Sequence, residues 1–247
     1  MSYLTKGVAC LVPALLLLAA LASTSLSSAA ILYLEDFEGG SPDVSISPRR
    51  APGPGHPDPF HDVVSETAFT QILSGDENNN VLGMEGSRHR DAVVSTVIPG
   101  SAPVTTAGYT NLVLSLAIAA SAGITGPWES SDFLEIYVTP NPNSGGVEIL
   151  LDSFRINGAD NLASGGGTGV ELGAVLQTFL YPLSFLADEL SIRIAGRPTS
   201  HAEQIAIDNV MVTGDLDLPP PATAPEPGTL ALMLTGLIAL GLRRRRR

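Results

Sequence analysis

The sequence predicts an all-β protein built as a two-sheet antiparallel β-sandwich, on three observations. Apolar residues recur with period two along many short runs. Clusters of Gly, Pro, Asn and Asp separate those runs. No stretch of the body carries the 3.6-residue periodicity of a long amphipathic helix. Composition agrees: 25 Gly and 19 Pro in 247 residues supply turns, while only 15% of residues are charged, which disfavours an ordinary charged helical protein.

In chain order, strands are expected near residues 31–37, 63–72, 80–85, 91–98, 110–119, 132–139, 146–151, 176–181, 188–195 and 204–213. Three of them set the pattern. Leu112, Leu114, Leu116 and Ile118 share one face, Leu134, Ile136 and Val138 share another, and Leu190, Ile192 and Ile194 alternate with Ser191, Arg193 and Ala195. Side chains two apart in a strand point the same way, so each set marks a buried face. Two segments break the rhythm. Residues 41–59 carry prolines at 42, 48, 52, 54, 57 and 59, and residues 157–169 contain Gly165, Gly166 and Gly167. Both are expected to be loops, each long enough to be an insertion or part of a binding rim.

The folded domain is expected to span 31–218, where 7 basic residues face 24 acidic ones, a net charge of -17. Such a surface repels anionic polymers and excludes nucleic acid as a partner, since phosphate binding needs a basic footprint. It attracts hard cations, Ca²⁺ foremost.

The two ends carry addresses instead of fold. Lys6, the apolar run from Leu11 to Leu21 and the small residues ending at Ser28, Ala29 and Ala30 form the three regions of a secretory signal peptide over residues 1–30. Cys10 precedes the apolar run and leaves with the leader, so the exported body has no cysteine and depends on packing or bound ions instead of disulfides. After the body, residues 219–224 form a Pro-rich linker, and Pro225, Glu226 and Pro227 follow it. Residues 229–242 are apolar and uncharged, closed by Arg243, Arg244, Arg245, Arg246 and Arg247. As a transmembrane helix this run spans about 21 Å against a hydrocarbon core of ~30 Å, so it is short and relies on bilayer thinning and snorkelling arginines. Those arginines hold its end on the cytoplasmic side.

Pro-Glu-Pro, a short apolar helix and a terminal arginine run together resemble the PEP-CTERM sorting signal of Gram-negative bacteria over residues 225–247. The resemblance implies recognition by an exosortase, a membrane protease-transpeptidase, with processing near Pro-Glu-Pro. It implies inner-membrane anchoring before that step and delivery afterwards to the cell surface or an exopolysaccharide matrix.

Within the body, Asp36-Phe37-Glu38-Gly39-Gly40 closes the first expected strand, and Glu203-Gln204-Ile205-Ala206-Ile207-Asp208-Asn209-Val210 lies in the last. This pairing is similar to the Phe-Glu-Gly start and Ile-Asp-Asn-Val finish of lectin-like jelly-roll domains, carbohydrate-binding and MAM-like modules among them. The similarity implies that Glu38 and Asp208, with Asp36, ligate a structural Ca²⁺. An independent reason points the same way, because neighbouring carboxylates repel one another unless a cation neutralises them. The alternative is that these are turn and edge residues with solvated charge.

A second candidate is the run Trp128-Glu129-Ser130-Ser131-Asp132-Phe133-Leu134-Glu135. Trp128 is either a platform for a sugar ring or a packing residue, with Glu129 and Asp132 beside it as ligand-binding candidates. A retaining glycosidase needs two carboxylates about 5 Å apart on one face. Asp132 and Glu135 are three apart and point to opposite faces of a regular strand, so only a bulge makes them catalytic. His56 and His61 flank Asp58 without a third metal ligand, and Ser164 to Gly169 lacks the Lys of a phosphate loop. The expectation is an exported, non-catalytic protein that binds polysaccharide through a calcium-stabilised sandwich. A secreted polysaccharide hydrolase or lyase, or a structural module meeting another protein, are the alternatives.

Overall fold

The computed structural model describes residues 29–39, 42–47, 61–65, 68–69, 72, 79–86, 93–122, 127–157, 160–200 and 202–217. Residues 1–28 of the leader, the Pro-rich linker, Pro225 to Pro227, the apolar run 229–242 and Arg243 to Arg247 lie outside them, as do His56, Asp58 and most of the 41–59 segment; Ala30, the last residue of the expected leader, begins the first strand. Among the described residues no helix is long and apolar enough to cross a membrane.

Ala29–Leu216 forms one compact unit, with thirteen strands among the described residues: β1 (Ala30–Glu35), β2 (Ser45–Ser47), β3 (His61–Ser65), β4 (Asn80–Glu85), β5 (Val94–Ile98), β6 (Val104–Thr105), β7 (Tyr109–Ala122), β8 (Phe133–Pro140), β9 (Ile149–Ile156), β10 (Leu162–Ala163), β11 (Gln177–Pro182), β12 (Glu189–Gly196) and β13 (Glu203–Leu216). They form two sheets with antiparallel pairing throughout. The first runs β11-β7-β13-β4-β3, with β1 also on β13; the second runs β10-β9-β8-β12-β5-β2, with β6 also on β12.

The alternating faces read in the sequence meet between the sheets. Leu112, Leu114, Leu116 and Ile118 of β7 and Ile205, Ile207, Val210 and Val212 of β13 share a core with Leu134, Ile136 and Val138 of β8 and Leu190, Ile192 and Ile194 of β12. Each such side chain contributes about 1.5–3 kcal/mol when fully buried. The two central strands differ from simple alternation. On the reverse face of the first sheet Ala119, Ala206 and Val81 are buried under Phe69 and Ile72, so β7 and β13 are covered on both sides at these positions, and β7 reads as a near-continuous apolar run from Leu112 to Ala120.

In β13 the register against β7 shifts between Asp208 and Met211, where Asn209 takes a left-handed φ of 51°. The inserted residue moves the inward phase from Ile205 and Ile207 to Val210 and Val212, as a bulge must. It also leaves Asp208 at the point where β13 exchanges β4 for β1 as its neighbour.

Each of the ten expected runs overlaps a strand, but the one expected at 63–72 is a strand only to Ser65, since β3 starts at His61 and Ala68, Phe69 and Ile72 lie outside it. Three short strands had no signal of their own: β2 falls within the Pro-rich segment, β10 within the Gly-rich one, and β6 between two longer runs. The strand expected at 146–151 instead extends through Asp152 and Ser153 to Ile156. Asp152 is tolerated there because its carboxylate receives the N–H groups of Ser153 and Gly165, each at 2.8 Å, and the hydroxyl of Tyr181 at 3.1 Å. The three glycines have φ of 61°, 73° and 96°, a left-handed run that only glycine adopts cheaply. They turn the chain so that Gly165 reaches Asp152, which gives the Gly-rich stretch a structural role.

Candidate functional site

Two groups of carboxylates flank β13, and the sequence pointed at part of each. The first joins the end of β1 to the bulge of β13. Phe37 takes a left-handed φ of 58° and buries its ring in the core, which leaves Asp36 and Glu38 outward on either side. The Glu35 carboxylate fixes this turn by accepting the N–H groups of Phe37 at 2.9 Å and Asp43 at 2.8 Å. Glu38 accepts the Asn80 backbone N–H at 2.5 Å and its side-chain amide at 3.4 Å.

Asp208 is 3% exposed. Its carboxylate accepts the amide of Asn79 at 3.1 Å, that of Asn209 at 2.8 Å, and the Asn209 backbone N–H at 2.6 Å. Burial pushes the Asp208 carboxyl above the usual range, with the charges of Glu38 and Asp36 acting the same way, while the bonds from Asn79 and Asn209 oppose the rise. The structure thus brings Asp36, Glu38 and Asp208 within electrostatic reach of one another. Among the described residues no group of three or more His, Cys, Asp or Glu side chains forms a metal cluster.

As the group stands, the N–H donors answer the charge. Asn79 and Asn80 supply the bridge between the two ends of the body. Their position directly before β4 was the available signal.

The second group lies where the turn before β8 meets the start of β13. Trp128 is 3% exposed and packs in the inter-sheet core, so it is placed as a packing side chain with no ring face to solvent. The turn closes through Asp132 N–H on the Glu129 carbonyl at 2.9 Å and through the Glu129 N–H, which donates to the Asp132 carboxylate. Glu129 itself is exposed.

Asp132 and Glu203 are both 0% exposed. Asp132 also accepts the Thr199 hydroxyl at 2.8 Å. Glu203 accepts the N–H groups of Thr199 at 2.5 Å and Ser200 at 2.8 Å on one oxygen, while among the described residues no N–H or O–H group donates to its Oε1. Burial raises both carboxyls. That of Glu203 is pushed up to about 8, with Asp132 and then Glu129 adding to the rise. Glu203 is the member that sequence reasoning placed on a strand without assigning it this role.

Glu135, two residues into β8, faces the opposite way, onto the outer surface of the second sheet. There it pairs with Arg155 and accepts the Tyr137 hydroxyl at 2.5 Å. Glu129, Asp132 and Glu135 therefore do not converge, and the odd spacing has the consequence expected of a regular strand. The same outer surface carries two stacked cations: the Arg155 guanidinium lies 4.5 Å from the Phe133 ring centre and that of Arg193 lies 3.9 Å from the Tyr137 ring centre. Arg193 also makes two bonds of 2.6 Å to Glu148, which hold the Glu148 carboxyl below its usual range.

His61 is buried, with its Nε2 at 2.9 Å from the Thr96 hydroxyl, so the structure places it in the interior.

Comparison with known proteins adds a match outside the described residues. Residues 223–246 match the PEP-CTERM protein-sorting motif. No curated protein matches the chain. Among solved structures, the K3 cleaved adhesin domain of Lys-gingipain from Porphyromonas gingivalis is 14% identical, with 75% of this chain and 99% of that one covered and a TM-score of 0.44. The CBM22-1 xylan-binding domain of Xyn10C from Paenibacillus barcinonensis is 12% identical, with 79% and 100% covered and a TM-score of 0.37. The chain is a β-sandwich that ends in a PEP-CTERM sorting signal, the mark of an exported protein sorted through an exosortase.

Proposed function

We propose that the sorting signal delivers this sandwich to the surface or extracellular matrix of a Gram-negative bacterium, where it acts without catalysis as a polysaccharide-binding module. The observation that carries the reading is the match at residues 223–246, which supports export of the body. Its tests begin there: deletion of residues 225–247 is expected to release the body from the surface fraction, and an unchanged distribution would overturn the sorting role.

For the binding activity, the supporting feature is the outer surface of the second sheet. Arg155 with Glu135, and Arg193 with Glu148, make a strip whose charges cancel within a body of net charge -17. A neutral sugar polymer meets no net repulsion there, and planar guanidinium groups on aromatic rings offer flat faces with in-plane donors. Catalysis finds no support in the carboxylates, because Asp132 and Glu203 are closed to solvent and Glu135 faces elsewhere.

Calcium belongs to the same proposal, at Asp36, Glu38 and Asp208. The donor chemistry fits a hard ion: an asparagine amide turned over presents its carbonyl oxygen, so Asn79 and Asn80 would change from donors to ligands. The experiment is a polysaccharide array probed with the exported protein in calcium and again in EGTA. Retention that disappears for Tyr137→Ala and Arg193→Ala supports the strip as the binding face. Absence of retention on every polymer in both buffers sinks the carbohydrate reading and leaves the adhesion module ahead.

A further inference from the structure

The edge of the first sheet formed by β11 is an open one, since β11 pairs with β7 on one side and has no neighbour on the other among the described residues. Its hydrogen-bonding phase follows from the ladder. Leu183 donates its N–H to the Leu112 carbonyl at 2.8 Å, in register with the pairing of Gln177 to Pro182 against Ile118 to Val113. Alternate residues of an antiparallel strand point their backbone groups to opposite sides. Gln177, Phe179 and Tyr181 therefore bond to β7, and Thr178, Leu180 and Pro182 turn theirs to the open edge. Pro182 has no N–H to offer and costs the ladder nothing at that position. Thr178 and Leu180 remain with a donor and an acceptor each.

Natural edges are blunted by lysines, prolines, inward charges or bulges, and of these β11 carries only Pro182, at its last position. β11 shows no charge at all. Residues 172–187 hold no Asp, Glu, Lys or Arg, and 161–187 hold only Glu171. The Leu180 side chain is 65% exposed, with Val175 and Leu186 exposed before and after the strand.

We propose that β11 pairs with β11 of a second copy of this chain, antiparallel and edge to edge, joining two copies of the first sheet across a two-fold axis. The occupant follows from charge and symmetry. A body of net charge -17 repels its own copy at most approaches, and an uncharged edge is where that repulsion is weakest. An antiparallel strand is complementary to itself under two-fold rotation, so one surface supplies both halves of the interface. The pairing closes after two copies and builds no fibre.

The test is sedimentation equilibrium of the full chain in mild detergent, over about a hundredfold range of concentration, for the wild type and Leu180→Lys. A lysine on an exposed edge position leaves the fold intact, which an unchanged circular-dichroism spectrum checks. The wild type is expected at twice the mass of one chain and the variant at the mass of one, with slow exchange of the Thr178 and Leu180 amides only in the wild type. A wild type that stays monomeric overturns the proposal. So does a dimer that persists in Leu180→Lys, which would place association in the apolar run 229–242 or elsewhere. Binding to polysaccharide is a separate measurement, and neither result decides the other.

Discussion

Glu203 at the start of β13 and Asp208 at its bulge are both buried, and they differ in what answers their charge. Asp208 has N–H donors on both oxygens, from Asn79 and from the side chain and backbone of Asn209, and its acidic neighbours Asp36 and Glu38 reach solvent. Glu203 has two donors on one oxygen and, among the described residues, none on the other, and its acidic neighbour Asp132 is as buried as itself. An interior carboxylate is tolerated when amides fill its lone pairs. Where they do not, a proton must. The first group is therefore held by hydrogen bonds to both oxygens of Asp208, and the second rests on a Glu203 carboxyl that burial pushes up to about 8.

The largest expected effect breaks the second group. Glu203→Ala leaves the N–H groups of Thr199 and Ser200 without an acceptor, and each such loss costs about 1–3 kcal/mol. Urea melts at pH 5 should show that loss clearly. At pH 9 the cost should shrink, because the wild type has by then lost its own advantage; equal losses at both pH values would count against a protonated Glu203.

The sign of that advantage comes from proton binding. The folded state holds the Glu203 proton up to about 8, and the unfolded chain releases it near 4.5. The native state binds more protons across that window, so stability is full below it and declines as pH rises through it. Glu203→Gln, which keeps the shape and carries no proton to lose, should flatten the decline. A slope unchanged in Glu203→Gln would assign it to another group.

The two groups were not equally legible in the sequence. Asp36, Glu38 and Asp208 stood in motifs at the ends of the body, and an antiparallel sheet that pairs its first strand with its last brings such ends together. The Asp132 to Glu203 contact has no local signal. Asp132 sits in a turn and Glu203 begins a strand seventy-one residues later, and only the lateral order of strands decides that they meet. Trp128 shows the same limit. A lone tryptophan before a strand is more often a packing residue than a platform, and the direction of the turn that Asp132 closes puts it inside.

The strands divided similarly. Long alternating runs such as β7, β8 and β12 declared themselves through burial, whereas β2, β6 and β10 are two or three residues long. Their pairing is fixed by neighbours and not by their own pattern.

The first group should respond to calcium where the second does not. Asp208→Ala is expected to cost about 1–2 kcal/mol, since two asparagine amides and a backbone N–H lose a charged acceptor, partly compensated by solvent at the bulge. If the ion binds there, calcium raises the melting temperature of the wild type and of Glu203→Gln, and the rise disappears in Asp208→Ala. A rise that survives Asp208→Ala would move the ion away from the bulge.

The smallest effect separates the two asparagines. Asn80 gives Glu38 its backbone N–H at 2.5 Å, while its side chain adds only a long bond of 3.4 Å to a carboxylate in solvent. Truncating it to Ala leaves the short bond in place, so the expected loss is below about 0.5 kcal/mol, within the range of ordinary surface substitutions. Asn79 reaches the buried Asp208 through its side-chain amide, and its truncation withdraws one donor from an interior carboxyl, with an expected loss of about 1 kcal/mol. The order of the two losses, read from urea melts at pH 7, checks whether burial of the acceptor governs the strength of these bonds. Equal losses would mean that Asp208 is relaxed by solvent, and the contrast between the bulge and the Asp132–Glu203 pair would narrow accordingly.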